Sequence, residues 1–547
     1  MHTTRWLDLL FGNGDDDYAF WLLTVRINIL VVVLCAALLI AWNLSPTRLR
    51  RARAARAEIG SALALTALAA LLRFGVTSAN LMDYGGVAYS RLLYGYKGYF
   101  GTAQFFSLFY TLTTRDIEHA ILLNRIAGTL TVPLVYSLCR RLQPGAKLFP
   151  AAAAFLFAVY PLHVLFSASD ALAIFSDCLA AGAYALLAGA VMLEAGEWVA
   201  AIRYVGGFAG LALLTQVRYE NVLLLVPAAV LLLVQRQRLR WRPLIVALAV
   251  SATLVLIYGY EAGTSTLSYR DPFHFWPGLQ MAVTHLVRNP LLAVPVLCVS
   301  IVAVWIYKGF GWGVLAVLPW GGAVLLSALT DTGHSAARVY ANWLILILPC
   351  AGYGFSLMLS APQRLAKTVA AAALVYHGLQ PVLVRDRLAA RHLEMLEHER
   401  FAAVLRSLPP DVRWIIVPDD ELIWRRSRST LELYTKYAMI LEGTADAARR
   451  RVLVGLTEFL EQPKPTMCTP GTCVFFFGLP CMEPDTYPVS SAQCQELLRT
   501  HATSIVDQTS VVAAPFVDCG IYTGTLREQL CDPAIKLRRF VVYQVEE

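Results

Sequence analysis

Apolar runs long enough to cross about 30 Å of hydrocarbon recur along the chain as far as residue 385 and then stop. Reading each run against its polar flanks predicts twelve spans. They lie near 20–43, 59–74, 122–139, 149–167, 174–193, 203–217, 221–235, 243–260, 290–307, 312–329, 341–359 and 367–384. The polar intervals between them differ in kind. Arg48, Arg50, Arg51, Arg53 and Arg56 follow the first span, and Arg140-Arg141, Lys147, the ladder Arg236, Arg238, Arg240 and Arg242, Lys308, Arg364 and Lys367 follow at alternate intervals. By the positive-inside rule these are cytoplasmic loops, so both termini are expected outside. The remaining intervals carry mixed charge and hold most of the residues with chemistry to offer.

After Asp386 the pattern changes. Arg387 to Arg406 reads as an amphipathic helix. Strand-like runs follow at Val412–Val417, Cys473–Gly478, Ser504–Val512 and Arg538–Val545, with helices expected over Thr430–Leu441 and Ala445–Leu460. The expected fold is therefore a polytopic α-helical membrane protein with a small C-terminal extracytoplasmic α/β domain. Its expected parts are an extra N-terminal helix and basic loop (1–57), the main transmembrane domain (58–385) and the α/β domain (386–547).

Composition sharpens this picture. Of 547 residues, 57% are hydrophobic and 15% charged, against about 25% charged in soluble domains. The net charge of +8 is dispersed over short loops, so it marks topology and argues against nucleic acid as a partner. Cys35, Cys139, Cys178, Cys298 and Cys350 lie in or beside apolar runs, whereas Cys468, Cys473, Cys481, Cys494, Cys519 and Cys531 crowd into the tail. That even cluster suggests disulfides and an oxidising compartment, with the pairing left open. Cys468-x4-Cys473 lacks the second knuckle of a zinc ribbon.

The candidate chemistry gathers at the outer face. Asp83, in the long interval 75–120, is the first carboxylate after the second span, and Lys97 lies further along it among tyrosines and phenylalanines. Asp170 closes the turn Ser167-Ala168-Ser169-Asp170. Arg218 and Glu220 share the tight turn Gln216-Val217-Arg218-Tyr219-Glu220, and His334 and Arg338 lie between the tenth and eleventh spans. Asp177, inside a span, is expected to face the protein interior. Asp271, His274 and His285 match no strong metal motif.

Several local patterns carry a resemblance. They are the acid early in the first outer loop, the run Asn124-Arg125-Ile126-Ala127-Gly128-Thr129-Leu130-Thr131-Val132-Pro133 on the return helix, the turn Leu214-Thr215-Gln216-Val217-Arg218, and His334-x3-Arg338 before Leu348-Pro349. Over residues 58–360 the chain resembles the GT-C superfamily, most of all its protein-mannosyltransferase and aminoarabinose-transferase branch. The resemblance implies an inverting transferase that takes a sugar from a polyprenyl-phosphate donor to an acceptor hydroxyl on a lipid, protein or glycan. It implies Asp83 as the base, Arg218, Arg338, His334 and Lys97 as ligands of the donor phosphate, and Asp170 and Glu220 as acceptor-side acids. No cofactor is expected, a divalent metal at Asp170 being the open alternative. A bacterial inner membrane is the implied location.

The chemistry of such a transfer asks for this residue set. The phosphate is an acidic leaving group and needs cations, while the hydroxyl nucleophile benefits from one carboxylate base. A transporter or flippase is the competing class. It would place its polar groups near the bilayer midplane on repeated halves, and no repeat is visible in the sequence.

Overall fold

The computed structural model describes residues 16–43, 56–80, 117–169, 171–192, 196–217, 219–245, 247–249, 275–288, 292, 294–329, 336–389, 391, 393–418, 451–461, 468–469, 471–482, 484, 488–513 and 536–546. These form two compact units. One is built from the described residues up to Thr77 with Leu122–Leu388, and the other from the residues after Leu388 with the segment that begins at Ser78.

In the first unit the helices are α1 (Asp16–Asn43), α2 (Arg56–Ala70), α3 (Ile117–Leu142), α4 (Leu148–Val159), α5 (Pro161–Ser167), α6 (Ala173–Met192), α7 (Glu197–Val217), α8 (Leu225–Val234), α9 (Phe275–Arg288), α10 (Val294–Lys308), α11 (Phe310–Leu329), α12 (Ala336–Ser360) and α13 (Arg364–Leu383). A widened π-helical turn, Leu71–Val76, extends α2, and a 3-10 turn, Tyr219–Leu224, links α7 to α8. Among the described residues six helices are long and apolar enough to cross a membrane, and α4 with α5 makes a seventh if this pair, bent by 55°, is one span. Helices within α1, α8 and α10 are apolar but shorter. The chain is an integral membrane protein.

These segments coincide with ten of the expected spans; the one near 367–384 returns as helix α13 but is not among the helices apolar enough to cross, and most of the one near 243–260 lies outside the described residues. Leu30, Val33, Val230, Leu233, Ile306, Leu318 and Val382 all stand exposed on the outer faces. So much outward apolar surface suits hydrocarbon, not water. Helix α12 is the hub: it packs against α4, α6, α10, α11 and α13. Small residues allow those approaches, since lipid supplies no hydrophobic drive and van der Waals contact must hold the helices together.

Helix α14 (Arg385–Ala389) ends the first unit, and the second carries α15 (Leu393–Ser407), followed by β1 (Trp414–Val417), β2 (Val452–Gly455), α16 (Leu456–Glu461), β3 (Cys473–Phe477), α17 (Leu479–Met482), α18 (Pro488–Thr500), β4 (Ala502–Ala513) and β5 (Lys536–Glu546). The sheet order is β2-β1-β3-β5-β4, with β1 parallel to β2 and β3, and β5 antiparallel to β3 and β4. Cys473-Val474-Phe475-Phe476 is buried as a continuous run, as a central strand covered on both faces requires.

One expectation fails here. The helix expected over Ala445–Leu460 is, in its described part, the strand Val452–Gly455 followed by a short helix from Leu456. The run Val452-Leu453-Val454 pairs in register with Trp414-Ile415-Ile416. Ladder bonds and packing on β1 override the helical period of the surrounding sequence. The helix expected over Thr430–Leu441 lies outside the described residues.

Cys468 pairs with Cys473, and Cys481 with Cys494. All four are buried in a core shared with Ile416, Leu456, Phe475, Leu497 and Val545. Cys519 and Cys531 lie outside the described residues. The bridge between Cys481 and Cys494 closes a sequence separation of 13 residues. Its removal by the double change Cys481→Ser/Cys494→Ser is expected to cost about 3 kcal/mol, the loop-closure value for that length. Thermal unfolding of the full chain in detergent should show the loss in the transition of this unit, and an unmoved midpoint would contradict it.

Candidate functional site

The first unit buries a polar network inside its apolar bundle, and it begins at a broken helix. Pro161 has no amide hydrogen and Tyr160 adopts an extended ψ of 117°, so α4 stops and α5 leaves at an angle. The carbonyls of Phe157 and Ala158 thereby lose their helical partners within the apolar interior, where an unsatisfied carbonyl is costly.

Arg73, on the π-helical turn and fully buried, meets both. Its Nη2 donates to Phe157 O at 2.9 Å, and its Nη1 to Ala158 O at 3.2 Å and Ala69 O at 3.0 Å. Nε donates to Ser167 Oγ at 3.2 Å, and Nη2 also reaches His163 Nδ1 at 2.7 Å. Every guanidinium N–H is thus used. A cation at the C-terminal end of α4 also faces the negative end of the helix dipole.

The arginine fixes the tautomer of its neighbour. Guanidinium only donates, so His163 Nδ1 accepts with its lone pair and the ring proton sits on Nε2. That atom faces Asp177 Oδ2 at 3.7 Å, both side chains being fully buried. Neither atom has a hydrogen-bond partner among the described residues. The other carboxylate oxygen, Oδ1, accepts from the backbone amide of Ile345 on α12 at 3.2 Å. Pro349 lies one turn further along α12, where its missing amide leaves the Ile345 carbonyl without the usual helical donor.

Three asparagines make further buried bonds. Asn221 Nδ2 donates to Ser176 Oγ and to Leu214 O, both at 2.8 Å, and Asn342 Nδ2 donates to Asn221 Oδ1 at 2.7 Å. On α3, Asn124 Nδ2 donates to Ser169 O at 2.6 Å and Ala171 O at 2.9 Å, holding the backbone on either side of position 170. The next residue, Arg125, donates from Nη2 to Thr77 O at 2.8 Å and lies over the Phe74 ring, 5.8 Å from its centroid.

These anchors lie beside the predicted site positions. Thr77 opens the interval that holds Asp83. Ser169 and Ala171 flank position 170. Asn221 directly follows the Arg218-Tyr219-Glu220 turn, and Asn342 lies one helical turn after Arg338 on α12. The backbone on either side of position 170, the 3-10 turn at Asn221 and α12 at Asn342 thus each have a buried polar anchor, Asn221 and Asn342 being bonded to one another. The backbones of Glu220 and Arg338 belong to the 3-10 turn and the first turn of α12, while their side chains are not among those described. Asp83, Lys97, Asp170, Arg218 and His334 lie outside the described residues. Asp177 faces the interior as its place in the span predicts. No group of three or more His, Cys, Asp or Glu with metal-site geometry occurs among the described residues.

The roles of Arg73, His163, Asn221 and Asn342 escape a reading of loops alone. Their signal in the sequence is a polar side chain inside an apolar run, as in Leu71-Leu72-Arg73-Phe74 and Leu162-His163-Val164-Leu165.

No family model and no curated protein matches the sequence. Solved structures do. The chain is similar to ArnT from Cupriavidus metallidurans bound to undecaprenyl phosphate, at 14% identity and a TM-score of 0.44, over 90% of this chain and 98% of that one. It is also similar to the apo oligosaccharyltransferase of Archaeoglobus fulgidus, at 10% identity and a TM-score of 0.43, over 82% of this chain and 69% of that one. A third match is AglB from Archaeoglobus fulgidus in complex with an inhibitory peptide and a dolichol-phosphate, at 12% identity and a TM-score of 0.39, over 71% and 64% of the two chains.

Proposed function

We propose that this chain is an inverting glycosyltransferase that moves a sugar from a polyprenyl-phosphate donor to an acceptor hydroxyl at the outer face of a membrane. The observation that supports it most is that buried polar anchors stand next to three positions picked out in the sequence for an acid or arginine: Asn124 on the backbone flanking position 170, Asn221 just after 218–220, and Asn342 one turn after 338. Part of this polar set serves the bundle itself, Arg73 capping the carbonyls that Pro161 frees. The asparagine anchors at the roots of the polar turns fit a site that must be held rigid.

In this reading Asp83 takes the proton of the acceptor hydroxyl as its oxygen attacks the anomeric carbon. The bond from that carbon to the phosphate oxygen breaks, its electron pair leaves with the polyprenyl phosphate, and the configuration inverts in one displacement. Arg218, Arg338, His334 and Lys97 offset the charge that grows on the phosphate. Arginine suits this task because its planar fork can hold two phosphate oxygens at once. Asp170 and Glu220 orient the acceptor. The sugar is a hexose or pentose, and the acceptor is a lipid, a protein or a glycan of the bacterial inner membrane and its outer side.

Undecaprenyl phosphate, the ligand named for the Cupriavidus ArnT, is the probe. Full-length protein in lipid nanodiscs should bind it, and Arg338→Ala should weaken that binding by about tenfold or more, the scale of a lost charge-assisted contact. An unchanged affinity in Arg338→Ala would remove this arginine from the phosphate site. Translocation of undecaprenyl phosphate across vesicles without any sugar transfer would replace the transferase reading with a flippase.

A further inference from the structure

We propose that three arginines at the C-terminal end of α6, Arg141, Arg203 and Arg238, hold the phosphate headgroup of an anionic phospholipid, with its acyl chains against α8 and Trp241. The proposal does not depend on the transferase reading and uses none of its residues.

The arginines come from three elements and meet one stripe of α6. Arg141, in the last turn of α3, donates from Nη1 to the carbonyl of Ala185. Arg203, on α7, donates from Nη1 to the carbonyl of Gly189 at 2.7 Å. Arg238 belongs to the 3-10 turn Arg236–Arg238 that follows α8, and its Nη1 rests on Met192 Sδ at 3.7 Å. Positions 185, 189 and 192 are spaced i, i+4 and i+7, so they share one face of the helix. Gly189 makes room for the group: a Cβ there would stand 2.9 Å from Arg141 Nη1 and 3.3 Å from its Cζ. Arg141 and Arg203 are close enough to repel one another.

The helix end alone does not account for three cations, since its terminal carbonyls amount to about half a negative charge. The neighbouring Arg140 shows the structural alternative, pairing with Glu58 at 3.0 Å. Among the described residues Arg141 and Arg238 have no carboxylate partner, and each commits a single N–H group. Glu197, in the first turn of α7, is exposed and in no ion pair among the described residues, and Glu194 lies outside them. Guanidinium forks with donors to spare suit phosphate oxygens.

The surface beside the arginines makes the anion a lipid. Leu233, Val234, Trp241 and Ile245 stand exposed on either side of the arginine turn. Residues 221–260 hold four arginines and no acid. A tryptophan among arginines, next to apolar side chains that face hydrocarbon, belongs at the headgroup level of a bilayer. A soluble anion would make no use of that apolar surface.

Native mass spectrometry of the full-length protein in neutral detergent, titrated with phosphatidylglycerol, tests the site. Salt is held at about 0.15 M, where exposed charges more than about 8 Å apart are screened. Phosphatidylglycerol should bind at least tenfold more tightly than phosphatidylcholine. Arg141→Gln and Arg238→Gln should each weaken it about tenfold, the scale of a lost charge-assisted contact. Arg364→Gln/Lys367→Gln removes two exposed charges from another turn and should cost less than about threefold. Gly189→Ala pushes the Arg141 guanidinium aside without removing a charge, and should cost about as much as Arg141→Gln. If Arg141→Gln does not accumulate as folded protein, Arg238→Gln and Gly189→Ala still decide. Equal losses in Arg238→Gln and Arg364→Gln/Lys367→Gln would reduce the effect to diffuse attraction and overturn the proposal. So would an unchanged affinity in Gly189→Ala, equal binding of phosphatidylcholine, or displacement of phosphatidylglycerol by inorganic phosphate, which would mark a site for a soluble anion.

Discussion

Asp83→Asn is expected to slow sugar transfer by about 10³-fold while leaving undecaprenyl phosphate affinity within about threefold of the wild type. The leaving phosphate has a low pKa and departs without help from an acid, so the barrier falls chiefly through removal of the acceptor proton and stabilisation of the phosphate charge. Asparagine matches aspartate in shape and takes no proton. The substitution therefore touches the first of these contributions and spares the second. The measurement is single-turnover transfer alongside equilibrium binding on the same preparation. Near-normal turnover in Asp83→Asn would eliminate the residue as the base.

The span pattern was legible because a membrane leaves a polypeptide little choice. Each backbone group must find its partner within the helix, and the side chains must be apolar for the length of the crossing. The segments near 174–193 and 341–359 accordingly return as α6 and α12 within a residue or a few. The helix break at Tyr160-Pro161 was not read from the expected span near 149–167, since hydropathy integrates over a window and is blind to one missing amide. In the α/β unit, Val452-Leu453-Val454 was misread as helical. A short apolar run fits either period, and only the neighbouring strand β1 decides.

Candidate residues in the loops could be singled out from the sequence, whereas the buried polar groups near them could not. Acids and arginines at the span ends announce themselves by charge. Asn124, Asn221 and Asn342 carry no charge, and the partners that give them meaning are backbone carbonyls and amides far away in sequence. Arg73 is the exception, a cation within a hydrophobic run. Its use, capping the carbonyls freed by Pro161, depends on a break in a different helix.

Gly352→Ala and Gly354→Ala should each destabilise the folded chain by about 3 kcal/mol or more, at or beyond the upper end for overpacking. The two glycines lie on the hub helix and face different neighbours. A Cβ at position 352 would come within 2.6 Å of both the Cα and the backbone nitrogen of Ala153 on α4. A Cβ at position 354 would collide with the carbonyl of Ser300 on α10. The obstacle is backbone in both cases, so a rotamer change gives no relief and a helix has to move. Gly60→Ala, on α2 with nothing within 4 Å of the added methyl, serves as the control. It should be neutral or gain up to about 1 kcal/mol through helix propensity. Thermal unfolding and the monodisperse fraction after extraction report the difference, and three equal midpoints would refute the packing argument. Because α12 also carries Asn342, Ile345 and Arg338, any folded fraction of Gly352→Ala should bind undecaprenyl phosphate more weakly than the wild type.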